Sequence, residues 1–178
     1  MKTIQVPAAA QVNPESQVLF EQLKKRIGKV PNLYATMGYS PFALKGFLEF
    51  EATLNNGAFS AKEREAIALA VSEVNHCDYC LAAHTIAAKM RGFTNDETLD
   101  IRRGNVADTK LNAIVQLAKS ITENRGSADP ALVENFFNEG YSEAALMELI
   151  GLVTVRIYTN YVFVMTKIPV DFPAAEPI

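Results

Sequence analysis

The stretch SAKEREAIALAVSEVNHCDYCLAAH, residues 60–84, decides the fold because it reads as two helices joined by a tight link. Its opening serine and Glu63 have the spacing of a capping box, which predicts a helix from Ala61 to Val74. A second helix is predicted from Cys77 to Met90, ending before Gly92. The link Asn75-His76 is so short that we expect the two helices to pack antiparallel.

Both cysteines and both histidines of the chain lie in this stretch, from His76 to His84. On a helix, Cys77 and Cys80 are three residues apart and His84 lies four residues beyond the second cysteine, so the three share one face. Side chains at this spacing lie about 5–6 Å apart at Cβ. A slightly tightened first turn brings that near the roughly 3.8 Å of a disulfide. The pattern therefore predicts a redox-active cysteine pair.

The start of the second helix favours a thiolate. We expect Asn75 to be the N-cap and Asp78 the third helical residue, which places Cys77 in the first turn. There the unpaired backbone N–H groups and the helix dipole stabilise a negative charge. Cys80 lies deeper, but His84 is one turn further on and can take its proton. The dipole alone makes Cys77 the better thiolate, so the residues by themselves do not decide which cysteine attacks.

A carboxylate partner for His84 is expected on the preceding helix. Glu65 lies about 10 residues, or roughly 15 Å, before the link, and His84 lies about 8 residues, or roughly 12 Å, beyond it. In an antiparallel pair the two side chains can face each other, so the carboxylate would orient the imidazole and hold its proton. Glu73 is a weaker candidate, one turn from the link, for contact with Cys77.

A structural zinc site is the main alternative at this motif. Cys77, Cys80 and His84 could supply three ligands, but the chain has no third cysteine and His76 points elsewhere on the helix. Haem attachment of the c type needs histidine directly after the second cysteine, where Leu81 stands. We therefore expect neither a metal nor a cofactor, and we expect His76 to be exposed.

The rest of the chain shows capped helices joined by short loops, without the alternation of β-hairpins. Because amphipathic helices must bury an apolar stripe, we predict one all-α domain, a helical bundle over residues 1–178 with its redox core at about 40–124. Further helix starts are expected at Asn13-Pro14, Ser40-Pro41, Thr94, Asp108, Asp129-Pro130 and Ser142. We expect four phenylalanines in the core, namely Phe42, Phe47, Phe50 and Phe163.

Composition excludes several classes of function. The net charge of −3 and the pI of about 5.5 argue against a broad phosphate-binding surface, and so against nucleic acid. The N-terminus lacks the cationic and apolar regions of a secretory signal. Two cysteines are too few for a disulfide-stapled secreted scaffold. We therefore expect a cytoplasmic protein.

The most apolar segment, Ala144 to Met165, contains Glu148, Arg156 and Asn160. Charges in the middle of a span are costly in lipid, so this segment is interpreted as a core or subunit-interface helix and not as a membrane span. It has more apolar surface than one helix stripe needs, which predicts a homo-oligomer.

The residues around the cysteine pair resemble the carboxymuconolactone decarboxylase-like superfamily, in particular its alkylhydroperoxidase D-like branch. The resemblance covers roughly Ser40 to Asn124 well, and Arg156 to Pro173 more loosely. The cysteine, histidine and glutamate pattern is specific, because spacing and residue type both match. The residues that carry it are Glu63 through Ala70, Ser72, Asn75, Cys77, Cys80 and His84.

The resemblance implies an all-α fold, assembly as trimers or hexamers, and thiol-dependent reduction of hydroperoxides coupled to a peroxiredoxin and a lipoyl-type dithiol reductant. By residue, it implies that Cys80 attacks the peroxide, that Cys77 resolves the product, and that His84 and Glu65 form the proton relay. Tyr79 stands where the best-studied branch has a second relay histidine, so rate or reductant is expected to differ.

Two further functions stay open at this point. One is a cofactor-free decarboxylase of the lactone-processing branch, although that chemistry does not need two cysteines three residues apart. The other is a non-enzymatic redox-sensing or zinc-stabilised helical module. Loss of both cysteines would spare the decarboxylase, and metal analysis would reveal the zinc module.

Overall fold

The computed structural model describes residues 3–178, and within that range all regular structure is helical. This confirms the all-α, single-domain prediction. A short 3₁₀ turn at Ala9–Gln11 precedes the α-helices. The helices are α1 Pro14–Ile27, α2 Asn32–Met37, α3 Pro41–Leu54, α4 Ala61–Val74, α5 Asp78–Met90, α6 Asn95–Arg103, α7 Thr109–Glu123, α8 Pro130–Asn138 and α9 Glu143–Thr166.

The helix starts follow from their capping residues. Glu63 Oε2 accepts a hydrogen bond from Ser60 N at 2.7 Å, and the Ser60 hydroxyl accepts one from Glu63 N at 3.2 Å. Thr94 and Glu97 repeat this capping box at the start of α6. Such bonds satisfy backbone donors that a helix start leaves unpaired, so the start positions are fixed locally.

Helix α4 lies at the centre of the bundle. Its stretch from Ala66 to Ser72 is buried on all sides, and it packs against α5, α6, α7 and α9. Only small and aliphatic side chains fill this stretch, apart from Ser72. Because α4 is surrounded, side chains at its ends reach α5 on one side and α9 on the other. This position lets three helices contribute to one site.

Helix α9 is the one helix within residues 3–178 that is long and apolar enough to cross a membrane by length and composition. In the fold it packs against α3, α4, α5 and α7. Arg156 on its inward face is buried and forms an ion pair with Glu51 of α3. This is the arrangement of a core helix, which agrees with the interpretation of its charged residues.

The prediction that four phenylalanines lie in the core is wrong for two of them. Phe47 and Phe163 are buried as expected, but Phe42 is 80% exposed and Phe50 is 43% exposed. The inward face of α3 is set by Leu44 and Phe47, three residues apart. Phe42 is two positions from Leu44 and therefore points to the opposite side of the helix.

The C-terminal segment, residues 167–178, has no regular structure and runs across the start of α5 to α6. Lys167, at φ 50°, ends α9 in the left-handed region. Asp171 then accepts hydrogen bonds from Lys29 and Tyr79, and the Glu176 carboxylate accepts one from Asn95 on α6. The segment thereby joins the α1–α2 link to α5 and α6 over the cysteine motif.

Candidate active site

The two cysteines lie at the junction between the α4–α5 link and α5. Cys77 is the N-cap of α5, and its Sγ accepts a hydrogen bond from the backbone N–H of Cys80 at 3.4 Å. The expectation that Asn75 caps this helix is wrong, because Asn75 ends α4. His76 takes a left-handed conformation, φ 49°, that separates the two helices, and it is exposed as predicted.

Both sulfurs are free thiols and both side chains are buried. A hydrogen bond from the Cys77 thiol lowers the pKa of Cys80 below that of an ordinary cysteine, against the opposing effect of burial, and the charge of His84 lowers it further. The same bond, together with burial, raises the pKa of Cys77. The dipole argument, which favoured Cys77 as the thiolate, is therefore outweighed by side-chain contacts.

His84 and Glu65 face each other across the α4–α5 pair, as expected for antiparallel helices. The His84 Nδ1 lies 2.7 Å from Glu65 Oε2, and about a fifth of each side chain is exposed. Burial alone raises the pKa of Glu65, but the charge and hydrogen bond of His84 bring it below its usual value. The arrangement leaves the imidazole oriented by a carboxylate and open to solvent on one side.

Helix α9 closes the site from the other side. Thr159 Oγ1 lies 4.0 Å from Cys80 Sγ. The neighbouring Asn160 is fully buried, donates to Ser72 Oγ at 3.2 Å and accepts from the Asn75 amide at 2.9 Å. Sequence reasoning missed both residues, since they lie about 80 positions from the motif. The available signal was the polar residue Asn160 inside the most apolar segment of the chain.

Arg156 adds a buried positive charge next to this cluster. It pairs with Glu51, and its charge contributes to lowering the pKa of Glu65. Tyr34 lies near the same arginine, and burial raises the pKa of its phenol, so the hydroxyl stays protonated. Next to the cluster there is therefore one ion pair, between Arg156 and Glu51, and the phenol of Tyr34 is neutral.

Tyr79, between the cysteines, is occupied by other contacts. Its hydroxyl donates to Asp171 Oδ1 at 2.6 Å and accepts from the backbone N–H of Leu33 at 3.1 Å. Its ring packs against Phe163 and Phe172. Burial and the bond to Asp171 raise the pKa of the Tyr79 phenol. The side chain is an anchor of the motif, and it does not supply a second basic group.

Glu73 does not approach the cysteines. Its Oε2 accepts a hydrogen bond from Arg102 Nε of α6 at 2.6 Å, in a largely buried ion pair. The expectation that Glu73 contacts Cys77 is therefore wrong, because the guanidinium on α6 is a stronger partner than a thiol. Among residues 3–178, no three histidine, cysteine, aspartate or glutamate side chains form a group that could hold a metal ion.

An all-helical fold with a CxxC pair at one helix start and a histidine–glutamate pair one turn deeper defines the class of this protein. Residues 41–124 match the model of the Carboxymuconolactone decarboxylase family. This match covers a little under half of the chain, and it agrees with the resemblance inferred from the motif. All four candidate residues, Glu65, Cys77, Cys80 and His84, fall within the matched range.

Solved structures share the fold over most of their length. A debrominase Bmp8 variant in complex with 2,3,4-tribromopyrrole is 15% identical, with a TM-score of 0.80 over 96% of this chain and 92% of that one. An uncharacterized peroxidase-related protein from Silicibacter sp. TM1040 is 23% identical, with a TM-score of 0.78 over 95% and 89%. An alkylhydroperoxidase AhpD core from Ralstonia eutropha JMP134, also an uncharacterized peroxidase-related protein, is 18% identical, with a TM-score of 0.79 over 90% and 87%. No curated protein matches the sequence.

Proposed function

We propose that the protein is a thiol-dependent peroxidase and disulfide oxidoreductase that reduces hydroperoxides with Cys80 and Cys77. The observation that carries the proposal is the pair of free, buried thiols at the start of α5 with the His84–Glu65 pair one turn along the helix. In this arrangement the pKa of Cys80 is lowered and that of Cys77 is raised. A thiolate is the nucleophilic form of cysteine, and a protonated neighbour is ready to resolve its oxidation product. The two sulfurs thus have distinct roles before any substrate binds.

In the first step, the Cys80 thiolate attacks the terminal oxygen of a hydroperoxide and the O–O bond breaks. Cys80 becomes a sulfenic acid, and the alkoxide that leaves takes a proton from His84. Glu65 supports this step because its carboxylate lies 2.7 Å from the imidazole Nδ1 and orients the ring. The peroxide is thereby reduced by two electrons to an alcohol.

In the second step, the Cys77 sulfur attacks the sulfenic sulfur of Cys80. The S–O bond breaks, and the hydroxide leaves with the Cys77 proton as water, so that a disulfide remains. The spacing of the two residues at a helix start supports this closure, since Cys77 Sγ already lies 3.4 Å from the backbone nitrogen of Cys80. The cycle stops here until an external thiol acts.

Regeneration is assigned to a dithiol of the lipoyl type, which breaks the disulfide by exchange and leaves as its own disulfide. Its two thiol protons end on Cys77 and Cys80. A peroxiredoxin is a proposed second partner, because the family resemblance pairs the two activities. The cytoplasmic location inferred from the sequence fits such reductants and remains a prediction.

The test is turnover of several hydroperoxides by the full chain, with dihydrolipoamide and other dithiols as donors. We expect consumption that depends on both cysteines, and a loss of two hydrogens by mass spectrometry after mild peroxide treatment. Because one structural neighbour is a debrominase, a brominated pyrrole belongs in the same panel. If both thiols remained open to alkylation after peroxide treatment, the proposal would be wrong.

The competing functions give different results in the same assay. A cofactor-free decarboxylase keeps its activity when both cysteines are replaced by serine, since its chemistry needs no thiol. A zinc-stabilised module purifies with metal and loses its fold on chelation. We expect the double serine variant to lose peroxide turnover and to keep the helical fold.

A further inference from the structure

Asn160 is a buried polar side chain of the site that the proposed peroxidase mechanism does not yet use. It lies on α9, is fully buried and is held from two directions. Its Oδ1 accepts a hydrogen bond from Asn75 Nδ2 at 2.9 Å, and its Nδ2 donates to Ser72 Oγ at 3.2 Å. These two bonds fix which edge of the amide carries the N–H groups.

An amide nitrogen carries two hydrogens, and Ser72 takes one of them. The other is available to the cysteine pair, which the amide adjoins on two sides. The carbonyl of its partner Ser72 accepts a hydrogen bond from the Cys77 backbone N–H at 3.0 Å, and its neighbour Thr159 has Oγ1 4.0 Å from Cys80 Sγ. Hydrogen bonding from Asn160 accordingly lowers the pKa of Cys77 and of Cys80 alike. Thr159 differs, since it has one hydroxyl hydrogen and donates it to the Arg156 carbonyl at 2.8 Å. Asn160 is thus the α9 side chain with a hydrogen to spare for sulfur.

We infer that Asn160 is a further catalytic residue, whose amide N–H holds negative charge on whichever sulfur of the pair carries it. The inference rests on the proposed thiol chemistry and extends it from one half of the cycle to both. It assigns to Asn160 the role of an anion-binding donor shared by Cys77 and Cys80.

The need for such a donor changes during the cycle. In the reduced protein, the Cys77 thiol is itself a donor to the Cys80 thiolate. Once the disulfide has formed, this thiol no longer exists. When an external thiolate attacks one sulfur, a mixed disulfide forms and the other sulfur leaves as a buried thiolate.

A buried anion without a donor is strongly unfavourable, so this step needs a preformed partner. The Asn160 amide meets that need as a preformed donor, because its bonds to Asn75 and Ser72 already hold it in place beside the pair. The leaving thiolate then takes a proton from the reductant, and the second thiol of the reductant resolves the mixed disulfide. All atoms and electrons in this step come from the pair and the dithiol.

The test compares Asn160→Ala and Asn160→Asp with Ser72→Ala in the full chain. Asn160→Asp keeps the size of the side chain and can still bond Asn75 and Ser72, but it presents an acceptor to the sulfurs. Ser72→Ala removes the tether between α4 and α9 and leaves the Asn160 amide in place. Each variant is also made with Cys77→Ser, so that the absorbance of the Cys80 thiolate can be titrated alone.

We expect both Asn160 variants to raise the pKa of Cys80 by about one unit or more, with Asn160→Asp the larger. At a pH below that pKa, alkylation of Cys80 then slows about tenfold, because each unit is a factor of ten in thiolate. Reduction of the preformed disulfide by dihydrolipoamide slows by a similar factor. Ser72→Ala lowers the melting temperature and leaves the pKa of Cys80 within a few tenths of a unit.

If Asn160 only tethers α9 to α4 and has no catalytic role, the variants should give different results. In that case, Asn160→Ala and Ser72→Ala lose stability together and neither changes the pKa of Cys80, and this result overturns the inference. An unchanged pKa in folded Asn160→Asp also overturns it, should Asn160→Ala fail to fold. If the wild-type chain reduces no hydroperoxide but the pKa and disulfide-reduction effects appear, the proposed peroxidase fails while the role of Asn160 stands.

Discussion

At Cys80, burial and hydrogen bonding act on one sulfur in opposite directions. Burial disfavours the thiolate, whereas the Cys77 thiol, His84 and Asn160 of α9 favour it, and the balance lowers the pKa. The backbone dipole acts mainly on Cys77, yet that sulfur stays protonated because it donates to Cys80. Local side-chain donors therefore outweigh the helix terminus in setting which of the two thiols ionises more readily.

The first prediction at this scale concerns the relay. His84→Ala should raise the pKa of Cys80 and slow peroxide consumption by about 10²–10⁴-fold, the usual cost of losing an acid–base group. Glu65→Gln should give a smaller loss, because Glu65 acts through His84. The double variant should lose no more than His84→Ala, since both residues act on one proton.

Steady-state turnover and thiolate titration of the relay variants check this, with circular dichroism to show that the helices remain. The partly exposed His84 contributes less to packing than the buried phenylalanines, so the fold should be retained. Unchanged turnover and an unchanged Cys80 pKa in His84→Ala would show that the relay is wrong. Cys77, at the helix start, would then be the better attacking thiol.

The second prediction concerns pH. Because the pKa of Cys80 is lowered, the thiolate forms below the about 8.5 of an ordinary cysteine, and activity rises as pH increases through that lowered value. The rate of peroxide oxidation should therefore reach half of its maximum below pH 8.5. Single-turnover oxidation followed over a pH series measures this. In Cys80→Ser, the ionisable partner is gone and burial alone still raises the pKa of Cys77, so alkylation of Cys77 there should need a higher pH than alkylation of Cys80 in Cys77→Ser.

At the scale of elements, helix starts were predictable wherever a side chain caps them. Three capping side chains each accept a hydrogen bond from the backbone N–H of the third residue of their helix, namely those of Ser60, Thr94 and Asp108. Helix α2 was missed because it has six residues and opens at Pro31 without a side-chain cap. The faces of α3 were misjudged because Phe42 and Phe50 are apolar but point outward.

The residues of the candidate site also fall into two groups, those that the sequence spacing predicts and those that it does not. Glu65, Cys77, Cys80 and His84 could be placed from spacing, since helical geometry and one short link bring them together. Asn160 and Arg156 could not, because their position depends on how α9 packs against α4 and α3. Glu73 was misassigned for the same reason, since its partner Arg102 belongs to another helix. Local geometry is encoded within a few residues, whereas packing partners are not.

The third prediction belongs to the C-terminal segment. Asp171→Asn removes the ion pair with Lys29, at 2.9 Å, and weakens the bond from the Tyr79 hydroxyl. We expect a loss of about 1–3 kcal/mol in the free energy of unfolding, the usual cost of breaking a charged hydrogen bond, together with faster alkylation of Cys77. Urea titration and timed alkylation measure the two effects.

The exposed pair of Lys45 and Glu49 provides the control, because Glu49→Gln should change the free energy by less than about 0.5 kcal/mol. Burial raises the pKa of Asp171, but its hydrogen bonds and Lys29 lower it overall. Its stabilising effect is therefore present above its unfolded pKa of about 3.9 and is lost as pH falls through the lower folded value. Equal stability of Asp171→Asn and wild type at neutral pH would contradict the anchoring role.

At the scale of the whole molecule, α9 has two different faces. Its inner face packs in the core, whereas its outer face exposes large apolar side chains between Met147 and Met165, over about 27 Å of helix. Phe50 of α3 extends this surface next to Gly151. The exposed side chains on α9 are Met147, Ile150, Tyr158, Tyr161, Val164 and Met165.

The last prediction follows from this outer face. A contiguous apolar surface of this length is typical of a protein interface, so we expect a homo-oligomer, a trimer or hexamer by the family resemblance. Replacing Met147 and Tyr161 by lysine places two charges on this surface and should dissociate the oligomer. Met90→Lys on α5, which is also exposed but lies off α9, should leave the oligomer intact. Light scattering at micromolar concentration gives the mass of each form. A monomeric wild-type chain would mean that the outer face of α9 is not an interface between copies, and an oligomer that survives both lysines would place the interface elsewhere.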